Sequence, residues 1–257
     1  MKTVLPLVLL GVVSAATLPG CHHSPGLWCS SWDIAVACKV EKQCVEFYSR
    51  SESSSEELVQ IELYYECLCG GCRSFFTSQL FPTWMMLNSI MNITLVPYGN
   101  AQERNESGKW VFECQHGPNE CLGNMIETCL MNILGSADQY LPIIYCIESA
   151  ENVIKSVQPC LEVYQPELSL DKIMQCANGD LGNKLMHENA QRTQRLDPPH
   201  KFVPWIVVNG KHTDELQSKA LSALFNLICE TYTGPKPIAC QAKKGPIPLE
   251  ADRVCMN

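Results

Sequence analysis

Cys69 and Cys72 stand two glycines apart in YYECLCGGCRSFF, residues 64–76, and Cys67 lies just ahead of them. Two thiols at CxxC spacing can meet, so three chemistries are open: a redox dithiol, half of a metal site, or a structural bridge. In the redox case Cys69 is the nucleophile and Cys72 the resolving thiol, since a sulfur at the start of a helix faces unpaired backbone N–H groups that favour its thiolate. Gly70 and Gly71 bring no charge to that sulfur, which leaves the backbone as the main source of activation and Arg73 as a possible helper. The demand is large in acid: at about pH 5 an ordinary thiol of pKa about 8.5 is only about 0.03% ionised.

The surrounding elements fit a dithiol. Val59, Ile61, Leu63 and Tyr65 alternate with polar residues, the pattern of a strand with one buried face, so the CxxC follows a strand end. Phe75, Phe76, Leu80, Trp84 and Leu87 then have helical spacing, interrupted at Pro82. A second strand is predicted over 92–98, a mainly helical stretch over 114–196, and a strand covered on both sides within KFVPWIVVNGK, residues 201–211. Asn209-Gly210 makes a turn, and Thr213 caps a final helix. Pro204, with Val203 before it, matches the cis-proline that faces the dithiol in thioredoxin-like folds, where the neighbouring backbone pairs with the incoming peptide, so both are expected to contact substrate; the plainer reading is an edge proline. The expected fold is therefore α/β and thioredoxin-like, with a helical insertion between the CxxC helix and the proline strand.

The chain has 257 residues and 16 cysteines. Residues 1–16 read as a signal peptide, with Lys2, an apolar run and small residues before the cleavage point. The run is too short to span a bilayer, no later stretch reaches about 18 apolar residues, and no retention signal ends the chain. A soluble protein of an oxidising compartment is expected, in which most cysteines pair with one another. The net charge of −8, with no cluster of Lys and Arg, argues against nucleic acid as a partner. No cofactor is expected, and no zinc, because Cys114, His116, Cys121 and Cys129 lack finger-like spacing. His22, His23, His187, His200 and His212 are expected to be solvated. Sequons mark Asn105, in a polar stretch read as an exposed loop, and Asn92 as glycan acceptors.

Residues 17–48 form a cysteine-rich head with Cys21, Cys29, Cys38 and Cys44, enough for two internal bridges, and the polar run of 49–57 reads as a linker.

CQHGPNECLGNMIETC, residues 114–129, resembles the signature CQHGxxECxxNxxxxC of the gamma-interferon-inducible lysosomal thiol reductases, at Cys114, Gln115, His116, Gly117, Glu120, Cys121, Asn124 and Cys129. The resemblance extends over residues 58–240, and the head is similar to a saposin A-type segment. It implies a lysosomal enzyme that uses Cys69 and Cys72 to reduce disulfides of endocytosed proteins at acidic pH, aiding their presentation on class II histocompatibility molecules. It also implies a small-thiol electron donor, glycan-directed routing with some precursor secreted, and trimming of the head and of the tail, 241–257. After the head and the redox pair are set aside, Cys114, Cys121, Cys129, Cys146, Cys160, Cys176, Cys229 and Cys240 can form four bridges. Cys67 departs from the small apolar residue expected there and reads as a buried inert thiol or as an interfering one. Cys255 could link two precursor chains. An oxidase or isomerase, or a non-catalytic saposin-like scaffold, are the competing readings.

Overall fold

A computed structural model describes residues 57–241, together with 27–45, Cys21 and His23 of the head. The expected signal peptide, most of the expected linker, residues 242–257 with Cys255, and His22 lie outside the described residues.

Three strands make the central sheet: β1 (Val59–Tyr65), β2 (Met91–Pro97) and β5 (Trp205–Val208), in the order β2-β1-β5. β1 runs parallel to β2 and antiparallel to β5. Ile61 and Leu63 of β1, Ile93 and Leu95 of β2, and Ile206 and Val208 of β5 point into the main core. The opposite face is covered too. Tyr64, Val96, Trp205 and Val207 form a second cluster under Leu196, so β1 is buried on both faces towards its end rather than on one.

In the head, α1 (Trp32–Cys38) is capped by Ser31, and the bridges Cys21–Cys38 and Cys29–Cys44 close it internally, as the count required. After β1, α2 (Gly70–Phe75) runs through a π-helical turn (Phe76–Leu80) into α3 (Phe81–Leu87). Pro82 explains the turn: it has no N–H to donate and its ring crowds the preceding carbonyls, so the helix widens just before it.

Residues 102–113 correct the expected loop. They form the hairpin β3 (Gln102–Glu106) and β4 (Lys109–Glu113), turned at Ser107 and Gly108, both with positive φ. Asn105 is therefore on a strand, still exposed, and its side chain accepts a hydrogen bond from the Gly108 N–H. The insertion proper is α4 (Pro118–Leu134), α5 (Ala137–Ser149), α6 (Val153–Tyr164), α7 (Leu170–Asn178) and α8 (Asp180–Gln194). Four bridges use the eight cysteines anticipated: Cys114–Cys121, Cys129–Cys176 and Cys146–Cys160 brace the insertion, and Cys229–Cys240 ties α9 (Asp214–Thr231) to α10 (Ile238–Gln241).

Two histidines expected in solvent are structural. His187 stacks on Trp110 and pairs with Glu103 at 2.9 Å, joining α8 to the hairpin. His212 stacks on Trp205 and holds the Ile206 carbonyl at 2.8 Å through Nδ1. Polar neighbours in sequence disguised both, because the aromatic partners come from other elements.

Candidate active site

β1 delivers the dithiol. Its last residue is followed by a tight turn in which the Cys69 N–H donates to the Glu66 carbonyl at 3.2 Å, and Cys69 then caps α2 in an extended conformation. Cys69 is half-buried, whereas Cys72, one turn on, is fully buried. The thiol of Cys72 donates to the Cys69 sulfur and is the largest influence pulling Cys69 down to about 6. Partial burial opposes this; the N–H groups of Cys72 and Gly71 and the charge of His116 reinforce it. The same contact, together with burial, pushes Cys72 far above the usual thiol range. One sulfur is thus ready to attack, and the other keeps its proton.

Arg73 does not assist. Its guanidinium turns away from the dithiol to the carbonyls of Glu148, at 3.0 Å, and Ala150, where it ties the α2 helix to the end of α5.

The Val203–Pro204 peptide is cis and faces the pair. The Val203 carbonyl is 3.9 Å from the Cys69 sulfur, and a Cβ on Gly71 would lie 3.6 Å from the Pro204 ring. Trp205, not Val203, begins β5, so both predicted substrate-contact residues sit on the loop that enters the strand. Gln217, buried on α9, accepts from the Ile206 N–H at 3.0 Å and donates to the Pro204 carbonyl at 2.8 Å, which fixes that loop.

The signature residues assemble around the same strand end. Cys114–Cys121 closes a loop in which Gln115 accepts from the Asn100 amide at 2.8 Å and His116 bonds Glu120 through Nδ1 at 2.5 Å. Gly117 has φ 86° and caps α4, a conformation in which a side chain would be strained. Asn124 accepts from the Cys67 N–H at 3.0 Å, and Cys129 bridges to Cys176. Cys67 is fully buried against this helix and its thiol is pushed well up by burial, which makes it inert rather than a competitor of the redox pair.

Three acids escaped sequence reading. Glu66 follows β1, with Oε1 accepting from the Asn100 N–H at 2.6 Å, and burial pushes it up to about 7. Glu127 and Glu148 face one another in the core, with the Tyr65 hydroxyl donating to Glu127. Burial is the main cause that raises both. The i,i+4 spacing of His116 and Glu120 was the one available sequence signal for any of this. Glu66, His116 and Glu120 also bring donor atoms within 4.8 Å of one another, the one such group among the described residues that could hold a metal ion.

A strand running into CxxC at a helix start, a cis-proline against it, and a split pair of sulfurs define a thioredoxin-like thiol–disulfide oxidoreductase. The family model "Gamma interferon inducible lysosomal thiol reductase (GILT)" matches residues 60–164. The chain is 52% identical over 231 residues to the gamma-interferon-inducible lysosomal thiol reductase of Carassius auratus, covering 90% of this chain and 88% of that protein. It is 51% identical over 185 residues to that of Mus musculus, with 72% of each covered. Among solved structures, Chlamydia trachomatis DsbA aligns with a TM-score of 0.46 at 13% identity, over 68% of this chain and 90% of that one. The chain belongs to the gamma interferon inducible lysosomal thiol reductase family.

Proposed function

We propose that this chain reduces disulfide bonds of proteins taken up into lysosomes, at acidic pH, and so prepares them for proteolysis and class II presentation. The observation that carries the reading is the half-exposed Cys69 sulfur, held between the Cys72 thiol and the Val203 carbonyl.

The Cys69 thiolate attacks one sulfur of a substrate disulfide; a Cys69–substrate bond forms, the substrate bond breaks, and the departing thiolate takes a proton from water. Cys72 then loses its proton and attacks the Cys69 sulfur, releasing the second substrate thiol. The substrate gains two electrons and two protons, and the enzyme is left with a Cys69–Cys72 disulfide. Two equivalents of a small thiol restore the dithiol by the reverse exchange and leave joined as their own disulfide. With Cys69 at about 6, roughly a tenth is ionised at about pH 5, about three-hundredfold more than an ordinary thiol.

Entry to the lysosome is by the secretory route, with the leader at 1–16 removed and some precursor secreted. Asn92 and Asn105 carry glycans that direct the routing; both are exposed. The head and the tail are trimmed on arrival, and Cys255 joins two precursor chains before that. No helix among the described residues is long and apolar enough to cross a membrane.

Insulin reduction by the glycosylated, trimmed protein tests the reading across pH about 4 to 7.5. Activity in the acid half of that range, absent from Cys69→Ser, is expected. Activity confined to neutral pH, or surviving in Cys69→Ser, would overturn it.

A further inference from the structure

Two buried carboxylates each have one oxygen tied to the backbone and the other turned towards the same imidazole. Glu66, just past β1, accepts from the Asn100 N–H through Oε1 at 2.6 Å, and its Oε2 stands 3.5 Å from His116 Nδ1. Glu120, in the first turn of α4, accepts from the His116 N–H through Oε1 at 3.0 Å and brings Oε2 to the same Nδ1 at 2.5 Å. Both acid side chains are sealed from solvent, whereas that of His116 is 41% exposed, so the cluster opens to water past the ring.

Glu66 Oε2 is the atom in this cluster that the rest of the fold does not account for. It is buried without a hydrogen-bond partner, and the ring nitrogen is too far away to donate well. A buried carboxylate oxygen left alone is costly, so this one calls for a positive partner. Its surroundings keep it in place. Gly99, at φ 60°, leaves the space that Glu66 fills, since a Cβ there would fall 2.3 Å from the side chain. The Cys114–Cys121 bridge closes the loop that carries His116 and Glu120.

The spacing of the donors suits a small divalent cation. Zinc binds imidazole nitrogen and carboxylate oxygen at about 2.0–2.2 Å in a tetrahedron, which sets its donors about 3.3–3.6 Å apart. Glu66 Oε2 and His116 Nδ1 already have that separation, and all three donor atoms lie within 4.8 Å of one another. The His116–Glu120 contact has to open by about 1 Å as its hydrogen-bonded proton leaves to solvent. Calcium, which takes six to eight oxygens, is poorly served by one nitrogen and two acids.

We propose that Glu66, His116 and Glu120 form a zinc site, in which Nδ1 of the imidazole and Oε2 of each acid bind the ion and clamp the signature loop onto the end of β1. A fourth position is left for water. The ligand set is rich in oxygen and uses no cysteine, unlike the set that finger-like spacing excluded. The clamp reaches the turn that presents the nucleophile, because the Glu66 carbonyl accepts the Cys69 N–H at 3.2 Å. The site goes beyond the reductase reading and requires no disulfide exchange.

The test titrates zinc sulfate into the full-length chain at about pH 7.5, with Cys69 and Cys72 joined as their disulfide so that neither thiolate binds the metal. Bound zinc is counted by elemental mass spectrometry after dialysis, and thermal unfolding is followed alongside. Wild type should hold one zinc more than Glu66→Gln, His116→Gln or Glu120→Gln, each of which should weaken binding at this site at least about tenfold. Zinc at about a hundredfold its Kd should raise the Tm of wild type by about 5–10 °C, and calcium at the same concentration should not. Equal zinc in wild type and the variants, or an equal rise with calcium, would overturn the proposal. Should the variants of the buried acids fail to fold, His116→Gln decides, and zinc retained there at wild-type affinity counts against the site.

Discussion

Gln217 Nε2 donates to the Pro204 carbonyl at 2.8 Å, and the same amide accepts from the Ile206 N–H at 3.0 Å, so one buried side chain holds the backbone on both sides of Trp205. Gln217→Leu would leave a buried N–H and a buried carbonyl unpaired, at about 1–3 kcal/mol each. The variant should unfold at lower denaturant and turn over more slowly, with Cys69 alkylation unchanged. Loss of stability without loss of turnover would show that the clamp serves the fold alone.

Gly123 gives the Cys67 sulfur its space, since a Cβ there would fall 2.4 Å from it. Gly123→Ala should cost about 1–3 kcal/mol by overpacking. Cys67→Ala in the same chain should return part of that in a urea titration. Independent effects of the two changes would contradict the contact.

Buried acids set the pH dependence of stability. Glu66 and Glu127 rise from 4.5 to about 7 in the fold, so between those values the folded chain binds more protons than the unfolded one. Stability is then greatest below about 4.5 and is lost as pH rises through about 7, by up to about 3 kcal/mol per group. Tm should be several degrees higher at about pH 5 than at about pH 8, and Glu127→Gln should flatten the difference. A Tm that rises towards neutrality would refute the assignment of these acids.

Much of this was legible in the sequence, and what was not has a physical pattern. The alternation of β1, the CxxC after it and Pro204 are local signals, and each lies where it was expected; the count of eight cysteines allowed four bridges, but which pairs with which was not legible, since Cys129 meets Cys176 across 47 residues. The hairpin of β3 and β4 was hidden because most of its side chains are exposed, which removes the hydrophobic period that marks a strand. Arg73 suggested a helper by proximity alone, yet its length takes it to α5. Glu66 looked like an ordinary surface acid at a strand end. Its burial depends on Gly99, Asn100 and His116, which arrive from β2 and the signature loop, so nothing near Glu66 in the chain announces it.

The division of labour between the two sulfurs is tested most directly by Cys72→Ser incubated with a disulfide-bonded protein at about pH 5 and analysed by mass spectrometry without reductant. A substrate covalently joined to Cys69 and released by dithiothreitol is the predicted result. A variant that forms no such adduct while the wild type reduces the same protein would contradict it.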